Sequence, residues 1–478
     1  MDIHTVLKNK FGFDQFRPGQ EQVIQDVLEG KDTIAILPTG TGKSLCYQLP
    51  GYVLNGSVLV ISPLVALMED QVANMKRYGE KRVIALNSFL NYTEKKQITA
   101  NLERYKFIFI SPEMLLRKSV KNSIERLNLS LIVVDEAHCI SQWGFDFRPD
   151  YLHIGEFFAY EGRPPVLALT ATADKKVIRD IGHYLNLEEP TLHQYPLDRP
   201  NISYTIMDLD SETTKTRWIQ QRLLETKGPG IIYVASRRRA DDLSSLLQEK
   251  GLSIAAYHAG KEQEDRAFIQ EQFISGEINW ICATNAFGMG IHKIDIRQII
   301  HEHIPQSIAG YIQEVGRAGR DGLQSAATLL YSHEDEGRTR FIIQGDIPTE
   351  KEIRHYTSLL QKNIPSDEAA EMAKITATGK RIIDYYLERM YLEEVVRRME
   401  KLVQDKEFQL QTILRLIYST TCIREMILTF FGESSIIKPE SCCSVCGTVD
   451  DRWLQGPQVT NLAKRPLNWT ERLIELLG

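Results

Sequence analysis

The sequence predicts an α/β protein with two tandem lobes, each built on a parallel sheet, followed by a mainly helical segment that carries a cysteine cluster. Three observations predict this class. Short apolar, β-rich runs alternate with helical patterns in two successive series, which is typical of βαβ units around a parallel sheet. The strand signal ends after about residue 345, and four of the seven cysteines follow within a short stretch. The length of 478 residues also suits about three domains of roughly 150 residues each.

The first lobe is expected over residues 1–197 and the second over residues 198–345. Five apolar runs mark strands of the first lobe: Thr33–Leu37, Val58–Ile61, Phe107–Ile110, Leu131–Val134 and Val166–Leu169. Five more mark strands of the second lobe: Ile231–Val234, Ile254–Tyr257, Trp280–Ala283, Ile299–Ile300 and Thr328–Tyr331. Between the two series, Leu197 to Ile202 and the polar residues that follow are expected to form a hinge or linker.

A mainly helical segment is expected over residues 346–450, because apolar side chains recur there at helical spacing, from Ile382 to Leu402. A short tail, residues 451–478, completes the chain. Fewer residues follow Cys446 than the roughly 40 with which a domain folds unaided. No further domain is therefore expected after the cysteine cluster.

Composition excludes several classes of protein. With 43% hydrophobic and 25% charged residues, the chain is expected to be globular, which excludes a disordered chain and a coiled-coil rod. No apolar run approaches the roughly 18 residues of a membrane span, and the first residues lack the pattern of a secretory signal. We therefore expect a cytoplasmic protein with no membrane partner. The net charge of −6 excludes a uniformly basic surface but allows a local basic groove for nucleic acid.

The strongest chemical signal is the segment Leu37-Pro-Thr-Gly-Thr-Gly-Lys-Ser44, which follows a predicted strand and precedes a predicted helix. In such a loop, backbone N–H groups surround a phosphate, the lysine adds positive charge and the hydroxyl is a Mg²⁺ ligand. The alternative is a glycine-rich turn without a ligand, and Leu37 stands where the strict pattern has glycine. The candidate phosphate-binding residues are Thr39, Gly40, Thr41, Gly42, Lys43 and Ser44.

Two acidic residues, Asp135 and Glu136, follow the predicted strand Leu131–Val134 directly. A carboxylate at the end of a strand can hold Mg²⁺, and the neighbouring carboxylate can orient the attacking water. Paired acids are also common on protein surfaces, so the pair alone is moderate support. Together with the phosphate loop, it predicts a Mg²⁺-dependent ATP or GTP hydrolase.

A third segment, Gln313-Glu-Val-Gly-Arg-Ala-Gly-Arg320, supplies positive charge in the second lobe. Arg317 and Arg320 would share one face if this segment were helical, and hydrolysis would then depend on closure of the lobes. The alternative is a solvated arginine pair. Gln313 joins Lys43 and these arginines in the predicted catalytic set.

The order of six segments resembles that of superfamily 2 helicases: PTGTGKS, SPLVALMEDQ (62–71), DEAH, LALTATA (167–173), ATNAFGMGI (283–291) and QEVGRAGRDG (313–322). Three more resemble the RecQ family in particular: FGFDQFRPGQ (11–20), HCISQWGFDFRPDY (138–151) and the cysteine cluster. The resemblance spans about residues 10 to 450. It implies two RecA-like lobes, a zinc-binding helical segment, and an ATP-dependent DNA helicase that moves 3′ to 5′ on single-stranded DNA. The implied cofactors are ATP, Mg²⁺ and structural Zn²⁺, and this chain resembles a short form without a full winged-helix domain.

The resemblance also implies a nucleotide-recognition segment near the amino terminus. Phe13 would stack on adenine, while Arg17 and Gln20 would read the edge of the base. The same residues also suit a loop that opens a helix from Gln20 to Leu28, and both roles are compatible.

DNA contacts are implied in both lobes. The aromatic-rich loop would sense DNA and signal to the ATP site through Trp143, Phe147 and Arg148, since aromatic and arginine side chains suit single-stranded bases. Core packing of these aromatics is the alternative, and Phe145 stands where the family commonly has histidine. The implied backbone contacts are Ser62, Pro63, Thr170 and Thr172 in the first lobe, and Ser236, Arg237, His258 and Thr284 in the second.

The cysteine cluster indicates a metal site, because four cysteines in one stretch of an intracellular protein seldom form a disulfide framework. The resemblance implies that Cys422, Cys442, Cys443 and Cys446 bind structural Zn²⁺. The spacing departs from the family's usual pattern, so an incomplete site, or Glu440 as the fourth ligand, remains an alternative to Cys442.

Single-stranded and duplex DNA are the expected partners, with single-strand-binding or recombination proteins as candidate protein partners in repair, recombination or replication. In a bacterium the protein would associate with the nucleoid. Two alternatives stay open from the sequence: a nucleotide-gated DNA clamp or remodeller with little unwinding, and an RNA-directed superfamily 2 ATPase. A zinc-centred adaptor is disfavoured, because the predicted catalytic residues are all present.

Overall fold

The computed structural model describes residues 2–87, 90–141, 148–285, 287, 293–433, 438–447 and 451–455. The chain forms two compact units. The first unit contains residues 1–197 and 344–406, and the second contains residues 198–343 and 407–478.

The first unit is built on a parallel seven-stranded sheet. Its strands are β1 Thr33–Ile36, β2 Ser57–Ile61, β3 Val83–Leu86, β4 Phe107–Ile110, β5 Leu129–Val134, β6 Val166–Thr170 and β7 Thr191–Gln194. Their order in the sheet is β3-β4-β2-β5-β6-β1-β7. The central strands are continuous apolar runs because helices cover both faces of a parallel sheet. All five residues of β2, for example, are buried.

In the described part of residues 1–197, nine α-helices connect or flank these strands: α1 Ile3–Val6, α2 Gln20–Leu28, α3 Leu45–Val53, α4 Val65–Arg77, α5 Tyr92–Thr99, α6 Pro112–Leu115, α7 Lys118–Ile124, α8 Ile154–Phe157 and α9 Lys175–Tyr184. Helix α5 begins at a capping box formed by Asn91 and Glu94. The core between helices and sheet contains Val58, Val60, Phe107 and Leu131, all fully buried.

The second unit is built on a parallel six-stranded sheet. Its strands are β8 Ile202–Asp208, β9 Gly230–Tyr233, β10 Ile254–Tyr257, β11 Trp280–Ala283, β12 Gln298–His301 and β13 Ser325–Tyr331. Their order is β10-β11-β9-β12-β13-β8. The polar stretch after Ile202, expected as a linker, is instead edge strand β8, which pairs with β13 along its whole length. The two parallel sheets confirm the predicted fold class.

Five helices flank this sheet in the part of the second unit that the structure describes: α10 Glu212–Glu225, α11 Arg237–Glu249, α12 Gln263–Ser275, α13 Ile308–Val315 and α14 His333–Gln344. The core against one face includes Ile219, Leu243, Trp280 and Leu330. The carboxyl ends of neighbouring strands β10, β11 and β9 lie at one edge of the sheet, where residues after the strands can meet.

The helical segment consists of α15 Glu350–Gln361, α16 Ser366–Met372, α17 Ala377–Leu387, α18 Leu392–Ile417 and α19 Ile423–Phe430. Helices α15 to α17 belong to the first unit and α19 to the second, while the boundary between the units falls within α18. Ion pairs join the segment to the first lobe. Arg381 lies 3.1 Å from Asp150, Arg389 lies 2.8 Å from Glu156, and Lys176 lies 2.8 Å from Asp405.

The remaining helical turns are short: a π-helical turn at Leu7–Phe11 and 3-10 turns at Leu102–Arg104, Ala137–Ile140, Pro149–His153 and Arg452–Leu454. Among the described residues, every helix is too short or too polar to cross a membrane.

Candidate nucleotide, DNA and metal sites

The phosphate loop follows β1 at the carboxyl edge of the first sheet. The Leu37 N–H group donates to the Thr170 carbonyl at 3.0 Å, which continues the pairing of β1 with β6. The Pro38 carbonyl accepts from the Thr41 hydroxyl at 2.7 Å and closes the turn. Gly40 and Gly42 have φ values of 86° and 76°, a left-handed backbone that favours glycine. Helix α3 then begins at Leu45, so the loop ends at a helix amino terminus, as a phosphate site requires.

The predicted nucleotide-recognition segment is tied to this loop. The Gln20 side-chain amide donates to the carbonyls of Thr41 at 2.8 Å and Gly42 at 3.1 Å. Its oxygen accepts from the Arg17 N–H group at 2.9 Å, and the Arg17 guanidinium donates to the Gly40 carbonyl at 2.5 Å. Arg17 and Gln20 therefore hold the backbone of the phosphate loop, while their reading of the base stays a prediction. Phe13 is 53% exposed and accessible for stacking.

The acidic pair lies at the carboxyl end of β5. The Asp135 N–H group donates to the Ile61 carbonyl at 2.9 Å, which places the pair beside the end of β2. Glu136 has φ 46° and ψ 46°, a left-handed conformation that is uncommon outside glycine and concentrates at functional sites. Its Oε1 atom lies 3.9 Å from the Lys43 Nζ atom. The phosphate loop and the acidic pair thus lie close together.

Burial changes the pKa of Asp135. Burial is the largest cause that raises the pKa of Asp135, to about 6, and the Glu136 carboxylate raises it further. The Lys43 ammonium group opposes the shift without cancelling it. A half-buried carboxylate with a second carboxylate beside it is suited to binding a cation.

His138 connects the acidic pair to the segment after β6. Its Nδ1 atom lies 3.0 Å from the Thr170 hydroxyl and 3.5 Å from Glu136 Oε2. The Thr172 N–H group donates to the same hydroxyl at 3.3 Å. A change at Glu136 can therefore reach Thr170 and Thr172 through one buried side chain. His138 is the last residue of the DEAH segment, and its contacts could not be predicted from that position alone.

The predicted DNA contacts of the first lobe lie close to this centre. Ser62, Pro63, Thr170 and Thr172 are all buried. The Arg148 guanidinium donates to the Pro63 carbonyl at 2.8 Å, so the end of the aromatic-rich loop reaches the segment after β2. Trp143, Phe145 and Phe147 lie outside the described residues. The roles of these residues in DNA binding stay predictions.

The arginine segment of the second unit is not helical throughout. Helix α13 ends at Val315, with buried Gln313 on its last turn, and Arg317 and Arg320 lie in the turn that follows. Arg199 fixes this turn, because its guanidinium donates to the carbonyls of Ala318 at 3.1 Å and Gly319 at 2.6 Å. The segment is therefore not one helix, and the condition under which the two arginines would share a helical face is not met. Arg199 lies more than 100 positions before this turn, and no local sequence pattern predicts its contact with it.

The predicted DNA contacts of the second unit follow three neighbouring strands. Ser236 and Arg237 follow β9, His258 follows β10 and Thr284 follows β11, so all lie at one edge of the sheet. The Ser236 hydroxyl caps α11 by accepting from the Arg239 N–H group at 3.1 Å. His258 is held by Asp241 at 2.9 Å, and Arg237 is exposed.

The four clustered cysteines converge at the start of α19. Their sulfur atoms all lie within 4.8 Å of one another, with Cys422 Sγ 3.6 Å from Cys442 Sγ and 3.9 Å from Cys443 Sγ. A tetrahedral zinc with bonds of about 2.3 Å needs sulfur atoms about 3.8 Å apart, so the donor set fits zinc. Glu440 is not part of this cluster of donor atoms in the described residues.

The cysteine loop continues the second sheet beyond its edge. The Tyr204 N–H group of β8 donates to the Cys442 carbonyl at 3.1 Å, and the Ser444 N–H group donates to the Tyr204 carbonyl at 2.9 Å. Buried Arg424 of α19 pairs with Asp198 and donates to the Arg199 carbonyl at 3.1 Å. The cluster and helix α19 together cover the edge strand, which would otherwise present unpaired backbone groups.

Comparison with known proteins gives the family. Residues 17–181 match the DEAD/DEAH box helicase family, and residues 214–322 match the helicase conserved C-terminal domain. The chain is 41% identical to the probable ATP-dependent DNA helicase RecS of Bacillus subtilis (strain 168), over 93% of this chain and 92% of RecS. This chain belongs to the RecQ family of ATP-dependent DNA helicases. The predicted family and class of enzyme are confirmed.

Other RecQ relatives are longer. The chain is 36% identical to the ATP-dependent DNA helicase RecQ of Pasteurella multocida (strain Pm70), over 92% of this chain but 61% of that protein. The solved structure of helicase Lhr of Mycobacterium smegmatis, bound to ssDNA and AMP-PNP, superposes with a TM-score of 0.57. It is 20% identical and covers 78% of this chain and 55% of Lhr, so it supports the fold alone. The RecQ matches favour neither the clamp nor the RNA-directed ATPase.

Proposed function

We propose that this RecQ-family chain uses ATP hydrolysis at the carboxyl edge of the first sheet to move along single-stranded DNA and separate duplex strands. The observation that carries the proposal is the meeting of Lys43, on a closed phosphate loop, with Glu136 in a left-handed conformation 3.9 Å away. A lysine for the phosphates and a carboxylate for the attacking water are the groups that phosphoryl transfer to water requires.

Each residue has a distinct task in this proposal. The loop N–H groups from Thr39 to Ser44 hold the phosphates, and Lys43 neutralises their charge. Asp135 and the Ser44 hydroxyl would hold Mg²⁺, which when bound neutralises the phosphate oxygens. Glu136 orients the attacking water. Arg17 and Gln20 keep the loop in its binding conformation through the contacts described above.

The RecQ-type second lobe has two tasks. Gln313, Arg317 and Arg320 are proposed to stabilise the charge of the transferring phosphoryl group. Ser236, Arg237, His258 and Thr284 are proposed to contact DNA phosphates, since hydroxyl and cationic groups at strand ends hold a backbone without reading its sequence. Such contacts suit a motor that must bind any sequence and release it in each cycle.

The cysteine cluster is proposed to bind one structural Zn²⁺ through Cys422, Cys442, Cys443 and Cys446. Four thiolates satisfy tetrahedral zinc, and no position is left for a substrate. Its effect would be to fix the loop that extends the second sheet at Tyr204. The proposed role is therefore stability of the second lobe rather than catalysis.

Direction, partners and location follow from the family and stay predictions. They are 3′ to 5′ movement, single-strand-binding or recombination proteins as partners, and a cytoplasmic location associated with the nucleoid in a bacterium. The division into a zinc-binding domain at 346–450 and a tail at 451–478 is likewise a proposal.

One experiment tests the proposed function. Unwinding of 3′-tailed, 5′-tailed and blunt DNA duplexes is compared with that of DNA–RNA hybrids, with Mg²⁺ and ATP, and with Lys43→Ala as the inactive control. Separation of the 3′-tailed DNA duplex alone supports the proposal. DNA-stimulated hydrolysis without strand separation would indicate a clamp, and a preference for hybrids would indicate an RNA-directed enzyme.

A further inference from the structure

Tyr195 contacts the backbone that joins the two nucleotide-recognition residues. A methyl group added at Gly19 would lie 2.5 Å from Tyr195 Cε2 and 2.8 Å from Leu37 Cδ2, well inside van der Waals contact. Gly19 therefore lies directly against the Tyr195 ring and the first residue of the phosphate loop. Gly19 also has φ 88° and caps helix α2, so it sets the direction in which Gln20 leaves the turn.

Strand β7 holds Tyr195 in this position. The Tyr195 N–H group donates to the Ile36 carbonyl at 3.1 Å, and the Tyr195 ring packs against the core of the first unit. Its hydroxyl donates to Gln22 Oε1 at 3.2 Å. Two residues earlier, His193 Nε2 lies 2.7 Å from Asp26 Oδ2. Helix α2 is thus attached to β7 at two successive turns.

These contacts form a short chain of support. Tyr195 limits the position of Gly19, Gly19 sets the position of Gln20, and Gln20 donates to the Thr41 and Gly42 carbonyls. Arg17, on the other side of Gly19, donates to the Gly40 carbonyl. A displacement of the Tyr195 ring would therefore reach both the segment predicted to read the base and the loop predicted to hold the phosphates.

We propose that Tyr195 is a positioning residue for nucleotide recognition, which acts through Gly19 on Arg17 and Gln20. The proposal rests on the proposed ATPase function and extends it to a residue that none of the helicase segments contains. In the described hydrogen bonds Tyr195 contacts Ile36 and Gln22, and none of them reaches the phosphate loop carbonyls or the acidic pair. It sets nucleotide affinity and the preference for ATP over GTP, and leaves the hydrolytic step itself unchanged.

The test compares Tyr195→Ala with Tyr195→Phe in steady-state hydrolysis of ATP and GTP on saturating single-stranded DNA. Loss of the ring frees Gly19, so Tyr195→Ala is expected to raise KM for ATP about five- to thirty-fold, the effect of one or two kcal/mol. It should leave kcat for ATP near the wild-type value and lower the ATP-to-GTP ratio of kcat/KM. Tyr195→Phe keeps the ring, so it is expected to have the wild-type KM for ATP and the wild-type ATP-to-GTP ratio of kcat/KM. Tyr160→Ala, which removes a half-exposed aromatic before the amino end of β6, is the matched control.

A double-mutant cycle separates the contact from a general loss of stability. Gly19→Ala adds the clashing methyl group, and its φ penalty is the same in both backgrounds. Gly19→Ala should therefore raise KM less in the Tyr195→Ala protein than in the wild type.

Additive effects, or an unchanged KM and ATP-to-GTP ratio in Tyr195→Ala, would overturn the proposal. A uniform loss of kcat, DNA affinity and melting temperature would overturn it as well, because that is the result of a purely structural role. Failure of the wild-type protein to hydrolyse ATP would instead remove the proposed function on which this inference rests.

Discussion

The Lys43 ammonium group lies 3.9 Å from the Glu136 carboxylate, although 93 positions separate the two residues in the chain. Strand order explains the approach. β1 carries the phosphate loop and β5 carries the acidic pair, and only β6 lies between them in the sheet. Since carboxyl ends of parallel strands share one edge, the loops after β1 and β5 converge there. The approach of Lys43 to Glu136 is therefore a consequence of the topology.

Replacement of Lys43 by alanine is expected to abolish ATP hydrolysis, with kcat reduced by at least about a hundred- to a thousand-fold, as for removal of one charge-stabilising group. Binding of single-stranded DNA without nucleotide should stay within about twofold, since the effect of a distant substitution is small. Lys96→Ala, which removes an exposed lysine from α5, is the control. Rates are measured by phosphate release and DNA binding by fluorescence anisotropy. Undiminished turnover would exclude Lys43 from the catalytic site.

The raised pKa of Asp135 predicts that the free energy of unfolding decreases as the Asp135 carboxyl group ionises. Burial raises its pKa from 3.8 to about 6, so the folded protein binds a proton at Asp135 more tightly than the unfolded chain does. The stabilising contribution of that proton is complete below pH 3.8 and is lost as pH rises through about 6. Asp135→Asn carries no such charge. It should therefore raise the melting temperature above pH 6 and have little effect near pH 4, without nucleotide and with EDTA present. An equal change in melting temperature at both pH values would show that ionisation of Asp135 does not destabilise the folded protein.

Strand burial explains which parts of the fold the sequence predicts. The run Phe107–Ile110 is strand β4 with the same bounds, because a strand covered on both faces is apolar at every position. Three strands outside the predicted apolar runs, β3, β7 and β8, all lie at sheet edges. β7 reads Thr-Leu-His-Gln and alternates between partly buried and exposed residues, so no apolar run marks it. Its strand conformation comes from pairing with β1, a tertiary contact.

Local spacing explains which parts of the site the sequence predicts. The phosphate loop and Asp135-Glu136 are contiguous segments after apolar strands, and the four cysteines lie close together in sequence. The contacts that hold these segments in place join residues that are far apart in the sequence. Arg424 forms an ion pair with Asp198, which lies 226 residues away in the sequence. The Gln20 side chain donates to the Thr41 carbonyl, but glutamine at the start of a helix is common and does not by itself indicate such a contact. Such contacts depend on the packing of whole elements, which no short pattern contains.

Replacement of Gln20 by alanine is expected to raise KM for ATP about tenfold, because the loop loses two hydrogen bonds, to the Thr41 and Gly42 carbonyls, each with a net contribution of about 0.5–1.5 kcal/mol. The effect on kcat should be smaller, since Gln20 contacts neither Lys43 nor Glu136 in the described hydrogen bonds. Gln25→Ala, on the exposed face of the same helix, is the control. Initial rates over a range of ATP concentrations measure both constants. An equal change in KM in Gln20→Ala and Gln25→Ala would show that the contacts of Gln20 with the loop do not contribute to ATP affinity.

Zinc is expected at about one ion per chain, and its removal should lower the melting temperature of the second lobe. The physical reason is the pairing of the cysteine loop with Tyr204, which depends on four thiolates held about 3.8 Å apart. Cys446→Ser should lose zinc and melt at a lower temperature, whereas Cys282→Ala, in β11, should keep its zinc. Metal content is measured by mass spectrometry and melting by calorimetry, before and after a chelator. Recovery of the melting temperature on addition of Zn²⁺, but not of Mg²⁺, would show that the effect comes from the cysteine site and not from the nucleotide site. A zinc-free protein with an unchanged melting temperature would refute the proposed zinc site.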